Sequence, residues 1–255
     1  MKNRNTRIRS PAAGPAGAFA SAGAFSCAAP LALAGALAAS LALASCATVQ
    51  GPAGSGQDRA AADCAREREK VVESAKTLLG QKPDAKVTVN GRSFVLDCIG
   101  TVSAAWWGAG YDIQKDFGKY EGNGVSRLYL SMKDWGALRD AREPKPGDVV
   151  FWSNTYDRNG NGKLYDDGLT HAGIVIETEE DGTVHYLHES YSRGVVIAFF
   201  NYRHPDEAKG PDGKIWNSPM FLGSNYGKPD NPPRWLSGDL LSAFGDAART
   251  VRATD

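Results

Sequence analysis

Cysteine and histidine are the residues here that could do nucleophilic chemistry, and the 255-residue chain has four of each. Cys98 stands out by its setting. The run Ser93-Phe94-Val95-Leu96 ends at Asp97, a good helix N-cap, and beyond Cys98 the residues Val102, Ala105, Trp106 and Ala109 take up helical spacing. That puts the thiol in the first turn of a largely buried helix, where free amide N–H groups and the positive end of the dipole favour a thiolate. The expectation is a depressed thiol pKa. A cysteine on an apolar stripe is more often packed core, so a catalytic role requires a base in reach and a group to orient that base. His171 opens a strand just after a Gly/Asn/Asp loop, which puts its imidazole at a sheet rim where a helix N-terminus could meet it. His185 and His188 share the next strand, and their odd separation sends them to opposite faces, so one of the two can orient His171. His204, in a loop before Pro205, has no assigned role.

The elements that must position these groups follow from local pattern. A helix is predicted over 58–79, stopped by Gly80 and Pro83. Asn90-Gly91 is the commonest two-residue hairpin turn and joins strands 86–89 and 93–96, so a hairpin feeds the Cys98 helix. Another helix is expected near 125–133. Strands are predicted over 147–152, 171–178, 183–189 and 194–199, with short Gly-containing connections that imply antiparallel neighbours. Helices followed by a meander is an α+β layout. Segment 201–233, rich in Pro and Gly, reads as a surface wrap, and 235–251 as an amphipathic helix with Leu240, Leu241, Phe244, Ala248 and Val251 inward. The charged run Arg66-Glu67-Arg68-Glu69-Lys70 reads as a solvated helix face.

Charge is balanced overall but not along the chain. Residues 1–45 hold Lys2, Arg4, Arg7 and Arg9 and no acid; the remainder, with 25 basic and 29 acidic residues, carries −4, which gives nucleic acid no basic surface to bind. The basic start, an Ala/Leu run and small residues ahead of a cut describe a secretory signal over 1–45. Leu43-Ala44-Ser45-Cys46 resembles the bacterial lipoprotein signal, which implies acylation of Cys46 as the first mature residue, and Ala47 after it implies sorting to the periplasmic face of the outer membrane. Residues 46–57 then form a flexible tether. With Cys27 removed and Cys46 lipidated, only Cys64 and Cys98 remain; a bridge between them would consume the proposed nucleophile, and Cys64 reads as a packed, inert thiol.

A resemblance rests on blocks in a fixed order. Val71-Val72-Glu73-Ser74-Ala75-Lys76-Thr77-Leu78-Leu79-Gly80, Leu96-Asp97-Cys98-Ile99-Gly100, Lys145-Pro146-Gly147-Asp148-Val149-Val150-Phe151, His171-Ala172-Gly173-Ile174-Val175-Ile176, and His188-Glu189-Ser190 with Gly194-Val195 resemble successive blocks of the NlpC-type papain-like cell-wall peptidases. The resemblance implies a papain-like α+β domain over 58–200, with N-terminal helices packed on a four- to six-stranded antiparallel sheet and 201–255 as an extension. It implies Cys98 as nucleophile, His171 as general base and acid, and His188 as the third polar residue, since the distance to Gly194-Val195 selects His188 over His185. Hydrolysis of amide bonds in peptidoglycan stem peptides, with no cofactor required for catalysis, would follow. The related cysteine, histidine-dependent amidase/peptidase group has the same residue order, and the competing class is a lipid-anchored domain that binds cell wall without cutting. Two departures stand out: Ile99 replaces the usual Ser, and the family's Tyr-containing Gly-Gly segment before the cysteine is replaced by the Asn90-Gly91 hairpin.

The loop leading into His171 begins like an EF-hand calcium loop, with oxygen side chains alternating at Asp157, Asn159 and Asn161 and with Gly162 at the sharp turn. Its twelfth position is Gly168 instead of Glu, although Asp166 or Asp167 could fill in; Asp157, Asn159, Asn161, Lys163, Asp166 and Asp167 are thus candidate structural-calcium residues. A polar turn using Asn and Gly for left-handed conformations needs no metal, and stands as the plain alternative.

Overall fold

The computed structural model describes residues 54–139, 143–163, 165–220 and 235–254. The leader, Cys46 and the start of the tether lie outside the described residues. Helix α1 (Gly54–Lys76) takes in 54–57, which composition had put in the tether. Once the packed end of a helix exists, each further residue adds a hydrogen bond at little cost, so the helix runs back past its apolar stripe. The hairpin follows as strands β1 (Lys86–Val89) and β2 (Arg92–Val95), with Val89 opposite Arg92 across the Asn90-Gly91 turn. Next come α2 (Cys98–Gly108) and α3 (Gly124–Asp134), the latter capped by Asn123, whose side chain accepts the Ser126 amide at 2.7 Å.

The remaining strands are β3 (Leu138–Arg139), β4 (Val149–Ser153), β5 (Leu169–Thr178), β6 (Thr183–Ser190), β7 (Gly194–Asn201) and β8 (Leu241–Gly245), with α4 (Ala247–Thr254) closing the chain. They form one sheet in the order β3-β8-β4-β5-β6-β7 with every neighbour antiparallel. The α+β class holds. Side-chain alternation along the strands splits the core in two. Val149, Phe151, Ala172, Ile174 and Leu187 pack under the helices with Val71, Leu96, Val102 and Trp106. Val150, Trp152, Val175, Tyr186 and Phe200 form the other face, covered by Leu240 and Met220. A central strand buried on both faces explains why β4 reads as the unbroken apolar run Val-Val-Phe-Trp.

The C-terminal segment departs from expectation. Residues 241–245 are a strand, not part of a helix over 235–251, and the helix begins only at Ala247. Strand β8 pairs with β4 through Val149–Gly245 and Phe151–Ala243 and fills what would otherwise be an open edge of the most buried strand. Asp246 then starts α4 by accepting the Arg249 amide at 3.2 Å. The 201–255 stretch therefore supplies an inner strand of the sheet.

The charged run on α1 also divides. Arg66, Glu69 and Lys70 are exposed, but Arg68 turns inward. Its guanidinium meets Asp148 at 2.6 Å and Asp246 at 3.0 Å, and Arg139 meets the same two carboxylates at 3.1 and 3.4 Å. Asp148 is fully buried and also accepts the amides of Lys145 and Ala247. This four-membered knot ties α1 to one end of the sheet's β3-β8-β4 side, where β4 begins and β8 ends. Among the described residues, no helix is long and apolar enough to cross a membrane.

Candidate active site

Cys98 sits at the start of α2 because Asp97, in extended conformation, caps it: the Asp97 Oδ1 accepts the Gly100 amide at 2.6 Å. The chain turns so sharply here that a Cβ at Gly100 would lie 1.8 Å from the Val95 carbonyl oxygen, so only glycine fits. The sulfur faces the backbone amides of Ile99 and Ala172, which brings it beside β5 next to His171.

His171 lies near the start of β5, opposite Trp152 of β4. Its Nε2 is 2.8 Å from His188 Nδ1 on β6, with the rings nearly perpendicular at 85°. Gly173 allows this approach. A Cβ there would stand 2.7 Å from the Leu187 carbonyl oxygen and 3.3 Å from His188 Cβ. His188 is buried against Tyr186, and its Nε2 has no hydrogen-bond partner. His185 points to the other face, bonded to Glu179 at 2.6 Å and packed on Phe199. Strand alternation thus separates the two histidines as expected, and His188 is the one behind His171. His204 stacks on Trp216 and bonds Glu207, apart from this cluster.

Cys98, His171 and His188 line one cleft of about 750 Å³, the size range of small-ligand and peptide sites. Asp84, Asp97 and Glu189 add carboxylates to its wall, and Tyr156 and Arg193 also border it. Sequence reasoning passed over Glu189 and Asp84. Glu189 adjoins His188 on β6, but its closeness to Asp84 comes from a turn a hundred residues earlier, where Asp84 holds the left-handed backbone conformation (φ 54).

The electrostatics overturn one expectation. Burial pushes the Cys98 thiol up to about 12, helped by the charges of Asp97 and Glu189, while the amides of Ile99 and Ala172 pull the other way. The helix terminus is outweighed by a dry setting with two carboxylates nearby. Burial likewise lowers His171 to about 4 and holds His188 well below the usual imidazole value. Glu189 is raised to about 7 by burial and by Asp84 and Asp97. At neutral pH the cleft therefore holds a thiol and a neutral imidazole, the state in which His171 can accept a proton.

Neither Cys64 nor Cys98 is in a disulfide. Cys64 is half-buried on α1 beside Arg68, away from the cleft. The 157–167 segment connects β4 to β5. Asp157 Oδ2 accepts the Gly162 amide at 2.8 Å, Asn159 and Asn161 accept the amides two residues on, and Asp167 Oδ1 accepts the amides of Arg158 and Asn159 at 2.9 Å. Asp166 is exposed and accepts from the side-chain amides of Asn159 and Asn161. Lys163 is exposed. Among the described residues, no three His, Cys, Asp or Glu side chains are grouped to hold a metal. The loop's remaining oxygen donors are amides and carbonyls.

No protein-family model matches the chain, and no curated protein matches it either.

Proposed function

We propose that this chain is a lipid-anchored cysteine peptidase of the NlpC-type papain-like kind, hydrolysing amide bonds in peptidoglycan stem peptides. The observation that carries the reading is the 2.8 Å bond from His171 Nε2 to His188 Nδ1 in the cleft that also holds Cys98. A nucleophile, a base and a group that orients the base share one cavity, which is more than a binding domain needs.

For His171 to act as base toward Cys98 its Nδ1 must be bare, so the proton resides on Nε2 and is donated to His188 Nδ1. The thiol proton passes to His171 as the sulfur bonds to the amide carbonyl carbon. The oxyanion is held by backbone N–H groups at the start of α2. Collapse breaks the C–N bond, and His171 returns its proton to the departing amine, leaving a thioester on Cys98. Water deprotonated by His171 then attacks the thioester, releasing a carboxylic acid and restoring the thiol. No cofactor enters these steps. Acylated Cys46 would hold the domain at the periplasmic face of the outer membrane, where stem peptides are within reach.

The non-catalytic reading is favoured by one observation, the thiol held near 12. Digestion of purified muropeptides with identification of the products by mass decides between the two. Turnover by the wild-type chain that disappears in Cys98→Ala supports hydrolysis, and the bond cut separates an endopeptidase from an amidase. Unchanged muropeptides with retained binding to sacculi would support the binder.

A further inference from the structure

We propose that the 157–167 loop is a calcium site that fixes one wall of the cleft, a role independent of whether Cys98 is catalytic. Two carboxylate oxygens carry the inference. Asp167 is 1% exposed, and while its Oδ1 accepts the amides of Arg158 and Asn159, its Oδ2 is buried with no partner. Because those two amides belong to the loop's own second and third positions, the Asp167 carboxylate is turned into the loop. Asp157 shows the same division: Oδ2 accepts the Gly162 amide, and Oδ1 is buried and unpartnered. A buried, bare carboxylate oxygen is costly, and two in one loop supply the −2 charge that a divalent cation neutralises.

The other donors suit a hard ion. The Oδ1 atoms of Asn159 and Asn161 each accept one amide and keep a lone pair, and the Lys163 carbonyl occupies the position where such loops use the main chain. The structure assigns the closing carboxylate to Asp167 rather than Asp166, whose oxygens are exposed and already bonded to Asn159 and Asn161. Mixed, irregular oxygen donors favour calcium over magnesium, which demands octahedral geometry. The loop is continuous with the site. Tyr156, next to Asp157, lines the cleft, the Asp167 amide donates to Asn154, and the Thr155 amide donates to Thr170, next to His171.

The test is calorimetric titration of the purified full-length chain, stripped with EDTA, with calcium chloride and separately with magnesium chloride, and thermal melting in parallel. One saturable calcium site is expected with Kd of about 10⁻⁴ to 10⁻³ M, the range of extracellular calcium modules. At calcium well above Kd the melting temperature rises by several degrees. Asp157→Asn and Asp167→Asn each weaken binding at least about tenfold by removing one of two charges, and Asp166→Asn leaves it within about twofold. If Asp167→Asn fails to fold, Asp157→Asn and Asp166→Asn carry the comparison. Absence of calcium uptake at 10 mM, on the order of ten times the weakest Kd expected, would overturn the proposal. So would an equal loss in Asp166→Asn and Asp157→Asn, or equal affinity for magnesium.

Discussion

The imidazoles of His171 and His188 meet nitrogen to nitrogen at 2.8 Å, and Gly173, two residues along β5 from His171, leaves the room for this approach. Of the two histidines on β6, His188 is therefore the one that touches His171, while His185 bonds Glu179. The contact also leaves His188 Nε2 buried without a partner, at a cost in stability.

In the proposed mechanism His188 acts through His171, as a positioning residue. His188→Ala lets the His171 ring turn and is expected to lower kcat on muropeptides by about 10²-fold with little change in KM. His188→Asn, which can still accept from His171 Nε2–H, restores about a tenth or more of the activity. Steady-state kinetics of the two variants check this, and equal loss in both would argue that His188 serves packing alone.

Burial of His171 fixes the acid side of the pH profile. With its pKa lowered to about 4, the base stays unprotonated to well below the ordinary imidazole range, so kcat/KM falls only as pH drops through about 4. With the thiol near 12, no alkaline rise from thiolate formation is expected below about pH 10. The same shift affects stability. The unfolded chain takes up a proton on this histidine at about 6.5, whereas the folded chain does so only near 4. Stability from this group is complete above 6.5 and declines by up to about 3 kcal/mol as pH falls from 6.5 to 4, then levels off. Denaturant melts between pH 4 and 7 measure it.

Glu189 runs in the opposite direction. Its pKa is raised to about 7, so the folded chain holds a proton that the unfolded chain releases near 4.5, and stability is lost as pH rises from 4.5 through 7. Glu189→Gln removes this loss and is expected to stabilise the fold at pH 8 by on the order of 1 kcal/mol after solvent screening. It also removes a charge that opposes the Cys98 thiolate, so iodoacetamide should alkylate Cys98 several-fold faster in this variant. An unchanged rate would mean that burial and Asp97 govern the thiol without Glu189.

Much of this arrangement is legible locally. Asn90-Gly91 and Asp97 announce the hairpin and the start of α2 because turn and cap chemistry act within four residues. Strand alternation separates His185 from His188 for the same reason. What sequence misses is decided by distant partners. The Leu240, Leu241 and Phe244 spacing suits a helix, yet β8 is a strand because β4 needs a second neighbour. Arg68 sits in a run that looks solvated, and its acceptors are 80 and 178 residues away. The thiol pKa follows the same rule. The helix start that would lower it is local, while burial against β5 and the charge of Glu189 come from elsewhere in the chain and, together with the charge of the neighbouring Asp97, prevail.

Two structural substitutions test the frame around the site. Gly100→Ala drives a Cβ into the Val95 carbonyl and is expected to cost about 3 kcal/mol, as overpacking does, with loss of turnover because the Cys98 turn must move. Asp148→Asn leaves Arg68 and Arg139 short of a buried counter-charge and is expected to cost about 3–5 kcal/mol. Urea melts at neutral pH report both, and a change below about 1 kcal/mol, the scale of an exposed pair, would contradict the buried-knot description.

Covalent catalysis by Cys98 is read from the mass of the protein itself, acid-quenched during turnover of muropeptides and mapped by peptide. A cysteine peptidase gives an acyl adduct on the Cys98 peptide that disappears with time and never forms in Cys98→Ala, while His171→Ala abolishes its formation. Release of cleaved products with no adduct at Cys98, or with undiminished rate in Cys98→Ala, would contradict it.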